Sequence, residues 1–166
     1  RTIELHAQYG RHYRTRIPKF GRDIKYNAYN CDLYCAASGN EIYRLNLEQG
    51  RFLQSFESTF EGCNSLAFSP KMNLLAAGME EGVVQFWDCR QREMASQLAM
   101  VNKKNNAPCE ITATEFALDG LSFACGNEKG LVNLFDIRRN VPNLILKHQY
   151  KLPIKALRFH NSSRKL

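Results

Sequence analysis

No apolar run in this 166-residue chain approaches the roughly 18 residues that a membrane-spanning helix needs. The longest runs are as short as LLAAG at 74–78, and the N-terminal segment RTIELHAQYG lacks the apolar core of a secretory signal peptide. The sequence therefore predicts no association with a membrane and no secretory route.

Signatures of catalysis are also missing. The four histidines do not form an HExxH pattern, and the chain has neither a GxSxG elbow nor a phosphate-binding loop. Cys31 and Cys35 are closely spaced, but no second pair follows at zinc-finger spacing. Without a signal peptide, the six cysteines are expected to be buried, reduced thiols. We therefore expect no catalytic residue, no metal site, no cofactor and no small-molecule substrate.

Positive charge is what the chain has in excess, with 23 lysines and arginines against 16 acids and an isoelectric point near 9.2. This balance favours an anionic partner. The N-terminal part of the excess, with Tyr13 and Phe20 interleaved, is our candidate contact for RNA or a protein partner. Its residues are Arg11, Arg14, Arg16, Lys19 and Arg22. A C-terminal group adds Lys147, Lys151, Lys155, Arg158, Arg164 and Lys165. Because HYRTRIP at 12–18 alternates, a solvated edge strand is the alternative interpretation.

A repeated segment predicts the fold. VVQFWD at 83–88 recurs as LVNLFD at 131–136 and, more weakly, as EIYRLN at 41–46. The separations, 48 and 42 residues, are typical of a propeller built from four-stranded blades. The repeat positions that we expect to be structural are Trp87, Asp88, Phe135 and Asp136.

The turn residues between alternating segments divide the chain into blades. We predict an all-β protein in which residues 1–166 form part of one propeller domain, an incomplete arc of about three full four-stranded blades with a partial blade at each end. The predicted units are a partial blade at 1–20, blades at 21–60 and 61–100, a loop at 101–108, a blade at 109–150 and the start of another at 151–166. LPIKALRF at 152–159 is the predicted first strand of that last unit. Since propellers close with about 4 to 8 blades, we expect a larger ring of about seven.

The repeats match the WD-repeat pattern incompletely. Trp-Asp occurs once, Glu80 and Glu128 stand where the family has an aspartate in the turn before the third strand, and no Gly-His dipeptide is present. The repeats are therefore divergent, and the acids at these positions are expected to be structural rather than catalytic.

Three longer segments are more specific than Trp-Asp. YRTRIPKFGRDIKY at 13–26, CDLYCAASGNEIYRLNLEQGR at 31–51 and HQYKLPIKALRF at 148–159 closely resemble the nucleolar protein ten family of WD-repeat proteins. The resemblance implies a non-enzymatic nucleolar component of the small-subunit processome. In that family the propeller joins other ribosome assembly factors around pre-ribosomal RNA, and a longer chain adds further blades and a charged, largely helical C-terminal extension.

Two functions remain to be distinguished. In the first, the connection RIPKFGRD at 16–23 contacts RNA or a neighbouring factor, although Pro18 and Gly21 could simply shape a tight crossover. In the second, the chain is a general protein-interaction propeller such as a ubiquitin-ligase substrate receptor. That function predicts a basic or aromatic cluster at the central channel, whereas we expect the basic clusters on outer and connecting segments.

Overall fold

The computed structural model describes residues 1–100 and 108–160. The predicted loop 101–108 therefore lies outside the described residues except for Pro108, as do Arg164 and Lys165. The described residues contain strands and no helix, and so none that could cross a bilayer. The strands are β1 Thr2–Ala7, β2 Gly10–Arg16, β3 Gly21–Asn27, β4 Asp32–Ala37, β5 Glu41–Asn46, β6 Arg51–Glu57, β7 Cys63–Ser69, β8 Leu74–Met79, β9 Val83–Asp88, β10 Glu93–Ala99, β11 Ile111–Phe116, β12 Ser122–Asn127, β13 Leu131–Asp136 and β14 Leu144–Lys147.

The strands form antiparallel sheets in chain order. β3–β6, β7–β10 and β11–β14 each make a four-stranded sheet, and β1 pairs with β2 alone. The first strands of successive sheets, β3, β7 and β11, lie against one another and mark the inner side of the arc. These sheets do not close into a ring, so the predicted fold class, an all-β incomplete propeller, is confirmed.

Chain direction defines two faces of the arc. Turns that join first to second and third to fourth strands lie on one face, which we call the lower face, because alternate strands of an antiparallel sheet run in opposite directions. Turns that join second to third strands lie on the opposite, upper face, together with the connections between blades.

The core lies between neighbouring sheets, because strand side chains alternate between the two faces of a sheet. In β4, Tyr34 and Ala36 pack toward the β7–β10 sheet, while Leu33, Cys35 and Ala37 pack toward β1 and β2. Both faces of β4 are thereby covered, which explains why the whole strand is apolar apart from its first residue.

The repeated aromatic positions belong to these interfaces. Trp87 stacks on Phe56 of the preceding blade, with ring centroids 5.3 Å apart, and the indole Nε1 has no hydrogen-bond partner among the described residues. Phe135 occupies the corresponding position against the next cluster, in which Phe86 and Phe123 meet edge to face at 5.1 Å. Both positions fill space between blades.

The predicted strand at 152–159 is not formed among the described residues. Ile154 nevertheless donates its N–H to the Asn127 carbonyl at 3.2 Å, and its own carbonyl accepts from Thr112 Oγ1 at 2.6 Å. A Cβ on Gly126 would lie 2.7 Å from Ile154. In the same way, a Cβ on Gly78 would meet Ile111, which begins the first strand of the blade that follows Gly78. The segment thus lies where a first strand belongs, but the described residues contain no second strand to pair with it, so no ladder forms.

Candidate partner-binding surface

Three of the predicted cations line one side of β2. The register pairs Arg16 with Thr2, Arg14 with Glu4 and, across a bulge, Arg11 with His6. Arg11, Arg14 and Arg16 therefore share the exposed side of the β1–β2 sheet, which we call the β2 strip. Arg14 Nε lies 3.2 Å from Glu4 Oε1, whereas Arg11 and Arg16 make no ion pair within the described residues.

The opposite side of this sheet anchors the β2 strip to the next blade. Ile3 is buried in the cluster that also contains Leu33 and Leu45, with Tyr13 packed against it. The Tyr13 hydroxyl donates to the Gly50 carbonyl at 3.1 Å. The strip is an edge strand, but one that is held against a packed sheet.

The connection between β2 and β3 displays Lys19 on the upper face. Ile17 is buried, and its N–H donates to the Arg1 carbonyl at 3.1 Å. The Lys19 stem lies over Gly39, since a Cβ there would be 3.4 Å from Lys19 Cγ. Phe20 is 59% exposed, and the Arg1 guanidinium stands 4.2 Å from the centre of its ring. The connection therefore presents a cation beside an accessible aromatic ring.

Arg22 lies apart from the other four predicted residues. It belongs to β3, where its guanidinium forms an ion pair with Glu80 and donates to Asn64 Oδ1. The residues between β2 and β3 lead from an outer strand to an inner one. Arg22 therefore lies on a different surface from the arginines of β2, although it is close to them in sequence. Arg22 links two blades at the upper end of the channel.

The inner strands enclose a cavity of about 210 Å³ at the channel. Lys25 and Arg158 line this cavity, and both contact Glu115, whose carboxylate lies 3.6 Å from Lys25 Nζ and 2.8 Å from Arg158 Nη1. Lys155 also borders the cavity and forms no ion pair within the described residues. The expectation that the basic clusters lie only on outer and connecting segments is therefore wrong. Lys25 lies on the inner strand β3, and Lys155 and Arg158 reach the channel because their segment lies where the first strand of the next blade belongs.

Bulges help to build this channel lining. The first and second strands of all three full blades change register at the same place, between Gly21 and Asp23, Cys63 and Ser65, and Ile111 and Ala113. The extra residues are Arg22, Asn64 and Thr112, and all three border the cavity. Such bulges re-aim side chains. Aligning the repeats at this position would have placed Lys25, Glu115 and Arg158 at one level of the channel from sequence alone.

Polar contacts near the channel also join the blades. Asp23 Oδ2 accepts the Leu66 N–H at 2.7 Å, and Thr114 Oγ1 donates to Ser65 Oγ at 3.2 Å. These bonds satisfy buried polar groups across the inner strands. We find no arrangement in them of a base, a nucleophile and an oxyanion site.

The buried thiols of Cys35, Cys63 and Cys125 are poorly suited to nucleophilic chemistry. Burial raises the pKa of the Cys35 thiol to about 11 and raises the pKa of Cys63 and Cys125 still further. A thiol with a raised pKa stays protonated at neutral pH, and the thiolate is the reactive form. Within residues 1–100 and 108–160, no three His, Cys, Asp or Glu side chains are grouped so as to hold a metal ion.

Comparison with known proteins adds sequence relatives. A family model described as "Nucleolar protein 10-like, N-terminal domain" matches residues 1–166. Ribosome biogenesis protein ENP2 of Saccharomyces cerevisiae is 48% identical over 157 residues, which cover 95% of this chain and 22% of that protein. Nucleolar protein 10 of Homo sapiens is 41% identical over 167 residues, which cover 98% of this chain and 24% of that protein. The chain thus spans about a quarter of the length of these curated relatives.

Solved structures support the architecture. A chain in a crystal structure of the mitotic checkpoint complex superimposes with a TM-score of 0.78 at 17% identity, covering 96% of this chain and 49% of that one. The crystal structure of the RRP9 WD40 repeats superimposes with a TM-score of 0.70 at 12% identity, covering 91% of this chain and 43% of that one. At these identities the likeness shows the fold alone.

Proposed function

This chain belongs to the nucleolar protein 10-like, N-terminal domain family, and on that basis we propose that it is a non-enzymatic scaffold of ribosome biogenesis in the nucleolus. In this proposal it is part of the small-subunit processome and supports pre-rRNA processing and assembly of the small ribosomal subunit. The names of the relatives that are 41% and 48% identical to this chain support the nucleolar location and the role in ribosome biogenesis.

The β2 strip is the surface that best supports a contact with a partner. Arg11 and Arg16 are exposed cations without an ion pair in the described residues, and the strip is held in place from behind by Ile3 and Tyr13. Guanidinium groups bind phosphate or carboxylate oxygens through paired, charge-assisted hydrogen bonds. We propose that the β2 strip and Lys19 together contact pre-ribosomal RNA or an acidic segment of a neighbouring assembly factor.

Arg22 has a different role in this proposal. Its guanidinium is already engaged by Glu80 and Asn64, so a partner would have to displace both. We assign Arg22 to the junction between blades, and the contact surface to the other four predicted residues.

The cations at the channel are relevant to the second candidate function, a general protein-interaction propeller. A general protein-interaction propeller would use cations at the channel, and Lys25, Lys155 and Arg158 are there. Lys25 and Arg158 share Glu115, however, which neutralises much of their charge and leaves Lys155 as the available cation. The β2 strip therefore supports ribosome assembly more strongly than the channel supports a substrate receptor.

The test reverses charge on the proposed surface in the full-length protein. Arg11, Arg14, Arg16 and Lys19 are changed to Glu, and co-sedimentation with pre-ribosomes is measured in cell extracts. We expect association to be lost while the circular dichroism spectrum stays unchanged, because these side chains are exposed. A matched control reverses Lys71, Lys129, Lys147 and Lys151, which are exposed and lie outside both the β2 strip and the channel cavity. Undiminished co-sedimentation of the first variant, in a protein that still folds, would refute the proposed surface.

A further inference from the structure

The turns of the lower face carry arginines that repeat with the blades. The turn between β9 and β10 contains Arg90 and Arg92, and the turn between β13 and β14 contains Arg138 and Arg139. Arg51 follows the matching turn of the first full blade. All five are exposed, and we call them the arginine row. We propose that the arginine row is a second, separate surface that binds the phosphate backbone of single-stranded RNA.

The backbone of these turns is held by the repeated aspartates. Asp88 Oδ1 accepts the Arg90 N–H at 2.8 Å, and the Asp88 carbonyl accepts the Arg92 N–H at 2.8 Å. Asp136 Oδ1 accepts the Arg138 N–H at 3.0 Å in the same way. The aspartate of the Trp-Asp position thus fixes the turn from which the arginines project. A surface whose backbone is already ordered loses less entropy on binding.

The arginines of the two later turns are available to a ligand. No ion pair within the described residues involves Arg90, Arg92, Arg138 or Arg139. Asp119 lies in the lower-face turn between β11 and β12, in the blade that also carries Arg138 and Arg139, and its carboxylate accepts hydrogen bonds within its own turn. Its Oδ1 accepts the N–H groups of Leu121 and Ser122 at 2.8 and 2.9 Å, and these bonds lower the pKa of the carboxyl.

A polar cavity of about 440 Å³ lies beside the row, between the first two full blades. Arg44 borders it, 3% exposed, with Nη2 donating to Asp32 Oδ2 at 2.8 Å. Its Nε and Nη1 atoms are buried without a hydrogen-bond partner among the described residues. A buried guanidinium with unused donors is costly unless an acceptor reaches it. Arg90 and Arg92 border the same cavity, so a phosphate oxygen there would meet two exposed guanidinium groups beside the buried Arg44–Asp32 ion pair.

The chemistry of this surface favours RNA over an acidic protein segment. Protein partners are anchored by apolar or aromatic side chains seated in pockets, whereas the lining of this cavity is mostly amide, carboxylate and guanidinium. Recurrence of cations at each blade suits a polymer with evenly repeated charge. Tyr29, 77% exposed in a lower-face turn, offers a ring on which an unpaired base can stack.

The test measures RNA binding directly and does not depend on the proposed place in ribosome assembly. Full-length protein is titrated into fluorescein-labelled oligouridylate at a series of KCl concentrations, and anisotropy gives the affinity. The variant carries Arg90→Gln, Arg92→Gln, Arg138→Gln and Arg139→Gln. If all four arginines contact phosphate, the slope of log affinity against log salt concentration should become shallower by about 2.8. If the variant and the unchanged protein bind equally well at about 1 M salt, this change makes the variant bind roughly 200-fold more weakly at about 0.15 M salt.

Two controls make the result specific. Lys129→Gln, Lys147→Gln and Lys151→Gln remove three positive charges from the upper side, away from the channel cavity, and should leave the slope nearly unchanged. The β2 strip variant Arg11→Gln, Arg14→Gln, Arg16→Gln, assayed in parallel, reports on the other surface alone. Because the aspartates hold the turns, the arginine variant should fold. If it does not, Arg138→Gln with Arg139→Gln should lower the slope by about 1.4.

The outcomes separate the possibilities. A loss of slope in the arginine-row variant without one in the upper-side variant supports RNA backbone binding at the arginine row, whether or not the β2 strip variant also loses slope. Equal losses in the arginine-row and upper-side variants would mean nonspecific attraction and would overturn the proposal. An unchanged slope, or competition by polyglutamate as strong as that by unlabelled oligouridylate, would overturn it as well, the latter in favour of an acidic protein partner.

Discussion

Adding one methyl group at Gly126 should destabilise the arc. The backbone there is outside the left-handed region, so alanine is conformationally allowed. Its Cβ would nevertheless lie 2.7 Å from both Cβ and Cγ2 of Ile154, where apolar carbons normally sit about 3.5–4.0 Å apart. Ile154 must move by roughly 1 Å, and overpacking of this kind costs about 1–3 kcal/mol.

The assay is urea unfolding of full-length Gly126→Ala, followed by far-ultraviolet circular dichroism. Gly39→Ala is the matched control, since its Cβ would meet Lys19 Cγ at an ordinary 3.4 Å. Adding Ile154→Ala to Gly126→Ala should cost less than the sum of the two single changes, because the shortened side chain relieves the overlap. A neutral or stabilising Gly126→Ala would show that residues 151–160 do not pack as a first strand.

Two further predictions concern the core. Phe56 is 2% exposed and stacks on Trp87, so Phe56→Ala should lower the unfolding free energy by about 3–5 kcal/mol in the same urea assay, and a loss under about 1 kcal/mol would contradict the packing. Burial raises the pKa of Cys35 to about 11, whereas an unfolded thiol titrates near about 8.5. The folded state therefore keeps a proton that the unfolded state loses, so stability falls between these pH values, by about 1.4 kcal/mol per unit for this thiol. Cys35→Ala should remove that part of the slope, and an identical pH dependence in both proteins would refute it.

The blades could be predicted from the sequence because their signals are local. The mostly apolar runs VVQFWD and LVNLFD, bounded by turn residues, reflect third strands that are covered on both faces, almost fully in β9 and partly in β13. The strand predicted at 152–159 failed for a nonlocal reason. Alternation describes a chain that can become a strand, but the ladder needs a partner, and the described residues offer none.

Proximity in sequence does not predict which cations share a surface. Arg16 and Arg22 are six positions apart, yet one lies on the β1–β2 sheet and the other on an inner strand of the next sheet. Conversely, Lys25 and Arg158 are far apart in sequence but share Glu115. Propeller topology joins equivalent repeat positions, so charges must be compared blade by blade. The turn-holding role of Asp88 could not be inferred from its recurrence alone.

Crosslinking in assembled particles can show whether the protein contacts pre-ribosomal RNA or ribosome assembly factors. The full-length protein is purified with its partners from ultraviolet-irradiated cells, and crosslinked peptides are mapped to RNA and to protein. We expect crosslinks from the segment 11–20 to pre-ribosomal RNA or to ribosome assembly factors. Recovery of the protein with ubiquitin-ligase subunits alone, and with no pre-ribosomal RNA or assembly factor, would contradict it.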